Sequence, residues 1–535
     1  MTSKFLIMLT PPKRLFNVAT LSTVMYDDVV DDVKEKGYVA ISHVWGKQNP
    51  YPADTFGITG VDWDIPLSNS GKISRLANAM MQHGKEYCWF DVLCMPQGEH
   101  NQWQVDEEIP FMGDYYNGAD VTLVLSDSIY AIPDRFDKLS LMVKDAMESK
   151  REFTDDESQW MRSDVDNLLK FHEDEWFGRV WTLQEAVLSK KLVMVYKDNS
   201  YMDLSDIITW VGYLSGRDLI SFAHIFTDGA DVLSSMNNTI TRYRSGTLDL
   251  ARILDNTNGR KCYREHDRFY GTLGILGYKD FKVDYDISMD ELNKTIVRYS
   301  HSKGDISWLT IGGNTGRGFI QPMYSPFSFI GMDWRENDGN VCNISFADNT
   351  LALNSMLFGN VVNSKRVNRG NLEEFIAWTS STFAQWGFSD KDILGTITGF
   401  VDSYDTYNYA GAKFMREMRR QNFVDAFSDC YMSLDDEGGK CVQDLIIKIG
   451  QLHRVAHMIT IVNATLPSLK TIPLVVWGDA DVGDEILLTN FHDRAKRNLG
   501  ITSSESIRKG VCLLPQIGMP SELRNMFSST RKFVV

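Results

Sequence analysis

The chain has 535 residues, more than one hydrophobic core serves, and its 43% hydrophobic and 24% charged composition is that of a globular protein. A formal net charge of −16 argues against duplex nucleic acid or an anionic membrane as the default partner, since both demand a cation-rich face. Seven cysteines (Cys88, Cys94, Cys262, Cys342, Cys430, Cys441 and Cys512) include no Cys-x-x-Cys pair, so neither a zinc site nor a disulfide framework is expected, and a reducing, cytoplasmic compartment is.

Along the chain, the apolar run Phe5–Leu9 is too short for a signal-peptide core, and no run of about 20 apolar residues suggests a membrane span. Tyr38–Ser42 reads as a buried strand that ends in a turn near Gly46. Ser74–His83 has helical spacing of Leu76, Ala77, Met80 and Met81, with Gly84 as a stop. Tyr87–Val92 is the next strand, Glu107–Tyr116 a helix despite Pro110, and Val121–Leu125 a third strand. The charged stretch 127–175 reads as a helical insertion. Phe177–Leu188 follows as a helix and Lys191–Tyr196 as a strand. Strands alternating with helices predict an α/β domain with a mainly parallel sheet flanked by helices over 1–215. A helical region is expected over 216–305 and a mixed α+β domain over 306–535. His453 and His457, four apart on an expected helix, lack a third ligand, so no metal site is expected.

Three blocks carry most of the chemistry-bearing residues. The first is Tyr38-Val39-Ala40-Ile41-Ser42-His43-Val44-Trp45-Gly46. The second is Trp89-Phe90-Asp91-Val92-Leu93-Cys94-Met95-Pro96-Gln97, followed by Trp103-Gln104 and Met112-Gly113-Asp114-Tyr115-Tyr116. The third is Arg179-Val180-Trp181-Thr182-Leu183-Gln184-Glu185. In this order they resemble the signature blocks of fungal heterokaryon-incompatibility (HET) domain proteins. Asp267-Arg268-Phe269-Tyr270-Gly271-Thr272-Leu273-Gly274 and Asp284-Tyr285 are similar to the segment that follows that domain. The chain departs from the family in carrying His43 where an aromatic such as Tyr is usual, and Met95-Pro96 where Ile-Asp is usual.

The HET domain is in turn similar to the Toll/interleukin-1 receptor (TIR) domain, many members of which cleave NAD. That resemblance implies a TIR-like sheet and a catalytic Glu185, four residues after Trp181 on one helix. It implies a site at the carboxyl end of the sheet drawing on Ser42, His43, Trp45, Gly46, Asp91, Gln97, Arg179, Trp181 and Gln184. Breaking the nicotinamide–ribose bond creates an oxocarbenium-like ribose that one carboxylate can stabilise. NAD or a related nucleotide is then the substrate, with no permanently bound cofactor and no metal. Self-association, or contact with a protein partner, is the expected route to activation in programmed cell death or innate immunity. Two alternatives stay open: a non-catalytic TIR-like signalling and assembly module, and an unrelated enzyme reusing the fold.

Overall fold

The computed structural model describes residues 9–46, 50–128, 135–157, 160, 174–216, 228–257, 260–310, 335–336, 345–347, 350–366, 456–463, 472–492, 498–504, 507–514 and 530–534. The chain divides into two compact units, Met1–Leu248 with Arg260–Asp286, and Asp249–Gly259 with Ile287–Val535.

The first unit is built on seven strands: β1 Arg14–Asn17, β2 Ser22–Met25, β3 Val39–His43, β4 Tyr87–Phe90, β5 Val121–Leu125, β6 Leu192–Val195 and β7 Tyr201–Asp203. They form one sheet in the order β2-β1-β4-β3-β5-β6-β7. The inner four are parallel, and the pairs at both margins are antiparallel. All residues of β3, β4, β5 and β6 are buried, as strands covered on both faces must be. The four parallel strands, numbered among themselves, run 2-1-3-4. The order reverses between β3 and β5, and such a switch point opens a crevice at the carboxyl ends of the strands.

Helices flank this sheet: α1 Val30–Lys36, α2 Gly71–Gln82, α3 Asp91–Cys94, α4 Gln102–Glu108, α5 Met112–Gly118, α6 Arg135–Ser149, α7 Val180–Leu188, α8 Leu204–Gly216 and α9 Asp228–Arg244. After α10 Leu250–Thr257, which belongs to the second unit, the chain returns to the first with α11 Asp267–Tyr270 and α12 Leu273–Leu276. The strand and helix expected in the second block are both shorter than their sequences suggest. β4 stops at Phe90 because the Asp91 carboxylate accepts the Val92 N–H (2.7 Å) and turns the chain into α3. The helix expected over Glu107–Tyr116 breaks into α4, a 3-10 turn at Ile109–Phe111 and α5, because Pro110 has no N–H to offer a continuous helix. Likewise α7 begins only at Val180, after a 3-10 turn Glu175–Gly178 and an extended Arg179 (φ −96°, ψ 147°). Of the expected insertion, α6 is helical; much of the rest lies outside the described residues.

Two glycines fix how α5, α7 and α12 pack. A Cβ on Gly274 would fall 2.6 Å from the Gly113 Cα and 2.6 Å from Gln184 Oε1, and a Cβ on Gly113 would meet the Gly274 Cα at 2.6 Å. Backbone lies against backbone, so neither side can give way. Gly274→Val is expected to cost about 2–3 kcal/mol of stability, read as a lower denaturation midpoint. An unchanged midpoint would mean that the junction is looser than this packing requires.

In the second unit, α13 Met289–Ser302 is capped by Ser288, whose hydroxyl accepts the Glu291 N–H. Among the described residues, a 3-10 turn Ser307–Thr310 follows, and the remaining elements are strands: β8 Arg335–Glu336, β9 Ser345–Ala347, β10 Thr350–Arg366, β11 Ala456–Asn463, β12 Ile472–Gly478, β13 Glu485–His492, β14 Asn498–Ser504, β15 Ile507–Leu514 and β16 Thr530–Val534. All their pairings are antiparallel. β10 pairs with both β11 and β13, which closes the ring β10-β11-β12-β15-β14-β13 into a six-stranded barrel. Closure removes free edges, and buried Phe358, Ile459, Ile461, Leu474, Val476 and Leu488 fill the core. β10 serves two neighbours by bending at Gly359, where a Cβ would sit 2.5 Å from the Val462 carbonyl oxygen. His457, expected on a helix, lies in β11, and His453 lies outside the described residues.

Among the described residues no helix is long and apolar enough to cross a membrane.

Candidate functional site

Ser42 is the penultimate residue of β3, and its side chain is the centre of a buried polar cluster at the carboxyl edge of the sheet. Its Oγ donates to Glu185 Oε2 and accepts from Trp176 Nε1 at 2.5 Å. The Tyr116 hydroxyl donates a further hydrogen bond to Glu185. Local folding places each partner. Apolar Val180, Leu183 and Val187 hold α7 against the core, which turns Glu185 toward β3. Asp174 caps the preceding turn by accepting the Trp176 N–H at 2.9 Å, and Thr182 Oγ1 donates to the Trp176 carbonyl at 2.7 Å. These bonds aim the indole of Trp176 at Ser42.

Glu185 is 7% exposed and forms no ion pair among the described residues. Burial pushes its carboxyl up to about 7, helped by the charge of Asp91 and opposed by the bonds from Ser42 and Tyr116 and by the nearby Arg179. Its proton balance therefore changes near neutrality, and the sign of the stability effect follows. From an unfolded-state value near 4.5 up to about 7, the native state holds a proton that the unfolded chain releases. The contribution of this group to stability is thus complete below that window and is lost as pH rises through it. Glu185→Gln should flatten the decline in stability between about pH 5 and 7.5, measured by chemical denaturation. A slope identical to that of the parent chain would show that Glu185 titrates like an exposed carboxyl.

A second cluster adjoins the first. Asp91 Oδ1 lies 3.1 Å from His43 Nε2, and Asp91 Oδ2 accepts the Trp45 indole N–H at 2.7 Å. Burial works to raise the Asp91 carboxyl, but His43, Trp45 and the Val92 N–H together hold it below the usual range, so it is an anion. Burial and the neighbouring Lys72 lower His43, so the ring is neutral. Behind it, Lys72 is entirely buried and reaches Asp127 Oδ2 at 3.1 Å, while Arg75 reaches Asp127 Oδ1 at 3.0 Å. The polar chain therefore runs beneath the switch point, from β4 across β3 to the residues after β5.

The residues singled out in the sequence divide in two. Ser42, His43, Trp45, Asp91 and Glu185 converge on this edge. Arg179 is close enough for its charge to act on Glu185 and His43, and its guanidinium forms no hydrogen bond or ion pair among the described residues. The others turn elsewhere. Trp181 lies over Gly271, whose Cβ would come 3.4 Å from its ring, and no hydrogen bond or ring contact among the described residues ties it to the cluster. Gln184 is buried and accepts the Gly274 N–H at 2.9 Å. Gln97 donates to the Met95 carbonyl at 2.8 Å, within its own loop. The Gly46 N–H is committed to the Pro66 carbonyl at 2.9 Å, so it offers no free donor.

Sequence reasoning missed Tyr116, Trp176 and Lys72 as members of the cluster. For Lys72 there was a signal: Lys72, Arg75, Leu76, Ala79 and Met80 fall at 0, 3, 4, 7 and 8, and all five are buried on one face of α2. Buried cations on the apolar stripe of a helix need a partner anion, and the part-exposed Asp127 supplies it.

No curated protein and no solved structure matches the chain. Residues 38–185, from the residue before β3 to the buried glutamate itself, match the family model described as Heterokaryon incompatibility protein (HET), so this segment of the chain is a HET domain.

Proposed function

We propose that the HET domain cleaves NAD at the nicotinamide–ribose bond and that Glu185 is its catalytic residue. The observation that carries this reading is the state of Glu185. It is a carboxyl buried beside a switch point, held by two hydroxyls rather than a cation and poised near pH 7. Structural carboxylates are ordinarily buried with a neutralising partner, whereas catalytic ones are tuned by burial and neighbouring charge. The resemblance of the first and third blocks to TIR enzymes supports the same reading.

In the reaction, the C–N bond breaks with its electron pair going to neutral nicotinamide. The Glu185 carboxylate faces the ribosyl cation, and water adds to that carbon and gives up a proton. Asp91 accepts a ribose hydroxyl, the part-exposed Trp45 indole forms one wall, and Arg179 meets the diphosphate. Entry of the ribose requires Ser42 to release Glu185, and this ties activity to a rearrangement. Self-association, or a protein partner, is a fitting trigger, in a cytoplasmic cell-death role of the incompatibility or innate-immunity type.

One observation favours a second reading. Glu185 is 7% exposed and clasped by Ser42, which suits a structural hydrogen bond inside a non-catalytic assembly module. Incubating the full chain with NAD at several protein concentrations, then separating products, distinguishes the two. Nicotinamide and ADP-ribose in equal amounts, lost in Glu185→Ala, support the enzyme. No products at any concentration, with oligomers present by light scattering, support the module.

A further inference from the structure

The chemistry above leaves His43 and Lys72 without a role, although both are buried at the carboxyl end of the first parallel strand. His43 stands edge-on to Phe90, with ring centroids 4.8 Å apart at 80°. Its Nε2 faces the Asp91 carboxylate at 3.1 Å and its Nδ1 faces the Lys72 ammonium at 3.4 Å. An ammonium only donates and an ionised carboxylate only accepts, so the ring can satisfy both only by accepting at Nδ1 and donating from Nε2. Lys72 has three protons and three acceptors, the Val44 carbonyl at 2.7 Å, Asp127 Oδ2 at 3.1 Å and His43 Nδ1. Lys72 therefore has no proton left for a ligand, and His43 has no free nitrogen.

We propose that His43 is a positioning residue, locked as the neutral Nε2-protonated tautomer by the buried Lys72 ammonium, and that its N–H sets the Asp91 carboxylate so that Asp91, and not His43, meets the ligand. With the His43 N–H and the Val92 N–H (2.7 Å) on Oδ1, Asp91 presents Oδ2 beside the Trp45 indole, which is 37% exposed. An anionic acceptor next to an exposed ring selects a ligand that offers a hydroxyl donor beside a flat ring system, as a nucleoside does. The choice of a nucleoside rests on the nucleotide-cleaving reading; the tautomer lock rests on geometry alone. The charged groups around His43 are Lys72 on α2, Asp91 at the start of α3 and Arg179 before α7. Two of the three are cations, which opposes protonation of the ring.

The test uses the full-length protein with 15N-labelled histidine. The His43 ring signals are assigned by their absence in His43→Gln. Between about pH 6 and 8 His43 should stay neutral with its proton on Nε2. Lys72→Met, which keeps the length of the side chain and removes its donor, should allow the Nδ1-protonated form or titration within that range. A cationic or Nδ1-protonated ring in the parent chain would overturn the proposal, as would an unchanged spectrum in Lys72→Met.

With NAD as the probe, His43→Phe should raise KM roughly tenfold for one lost charge-assisted hydrogen bond, with a smaller change in kcat. His43→Gln, whose amide can still donate to Asp91, should recover most of that loss. Equal KM values in the parent chain and in both variants would remove His43 from ligand positioning. If the parent chain cleaves no NAD, the nucleotide reading falls, while the spectra still decide the tautomer.

Discussion

Glu185→Gln is expected to leave the fold intact while lowering NAD turnover by about 100- to 1000-fold, the usual cost of losing one preorganised group that stabilises transition-state charge. The amide keeps the shape of the carboxyl, and its one oxygen can still accept from Ser42, so packing around α7 survives. It cannot carry the negative charge that faces a ribosyl cation. KM should therefore move little while kcat falls, the signature of an interaction made mainly in the transition state. Ser42→Ala separates the clasp from the chemistry: it frees one Glu185 oxygen without touching its charge. Turnover within a few-fold of the parent chain in Glu185→Gln would leave the carboxylate with a structural role only.

The second large effect concerns stability. Asp127 is the shared counter-ion of Lys72 and Arg75, whose side chains are 0% and 5% exposed. It also accepts hydrogen bonds from Ser68 and Asn69. Asp127→Ala would strand both cations beneath the sheet. Removing one partner of a buried pair commonly costs 3–5 kcal/mol; Asp127 itself keeps some contact with water, so about 3 kcal/mol is expected here. The loss should appear as a lower midpoint in chemical denaturation of the first unit. Asp127→Asn, which keeps one acceptor oxygen, should lose less. Equal midpoints for Asp127→Ala and the parent chain would mean that solvent or another group compensates the two cations.

The scaffold of the first unit was legible in the sequence where residues are buried on both faces. Tyr38–Ser42, Val121–Leu125 and Lys191–Tyr196 read as largely apolar runs that contain most of β3 and all of β5 and β6, because a parallel strand covered by helices has no polar alternation. The hairpin of β1 and β2 did not announce itself, since β2 is only part-buried and both strands are four residues long. Breaks decided by one side chain were missed as well. The Asp91 carboxylate ends β4 by bonding the next N–H, and the Asp174 carboxylate starts the 3-10 turn Glu175–Gly178 by accepting the Trp176 N–H. In the site, the spacing of Trp181 and Glu185 suggested one shared face, yet Glu185 turns to Ser42 on β3 whereas Trp181 lies against Gly271. Four residues span slightly more than one helical turn, so small rotations decide which of two such side chains reaches the sheet. The indole that does reach Ser42 is Trp176, from the turn before the helix, and only the fold brings it there. The closure of the barrel in the second unit was likewise hidden, because it depends on one long strand, β10, serving two neighbours.

Whether NAD is held and cut at the Ser42–Glu185 cluster is decided by a crystal structure of the Glu185→Gln variant with NAD at a concentration shown to saturate binding. The nicotinamide ribose is expected against positions 185 and 91, with the Ser42 clasp opened and the diphosphate at Arg179. NAD bound elsewhere, with the Ser42 clasp still closed on position 185, would contradict it.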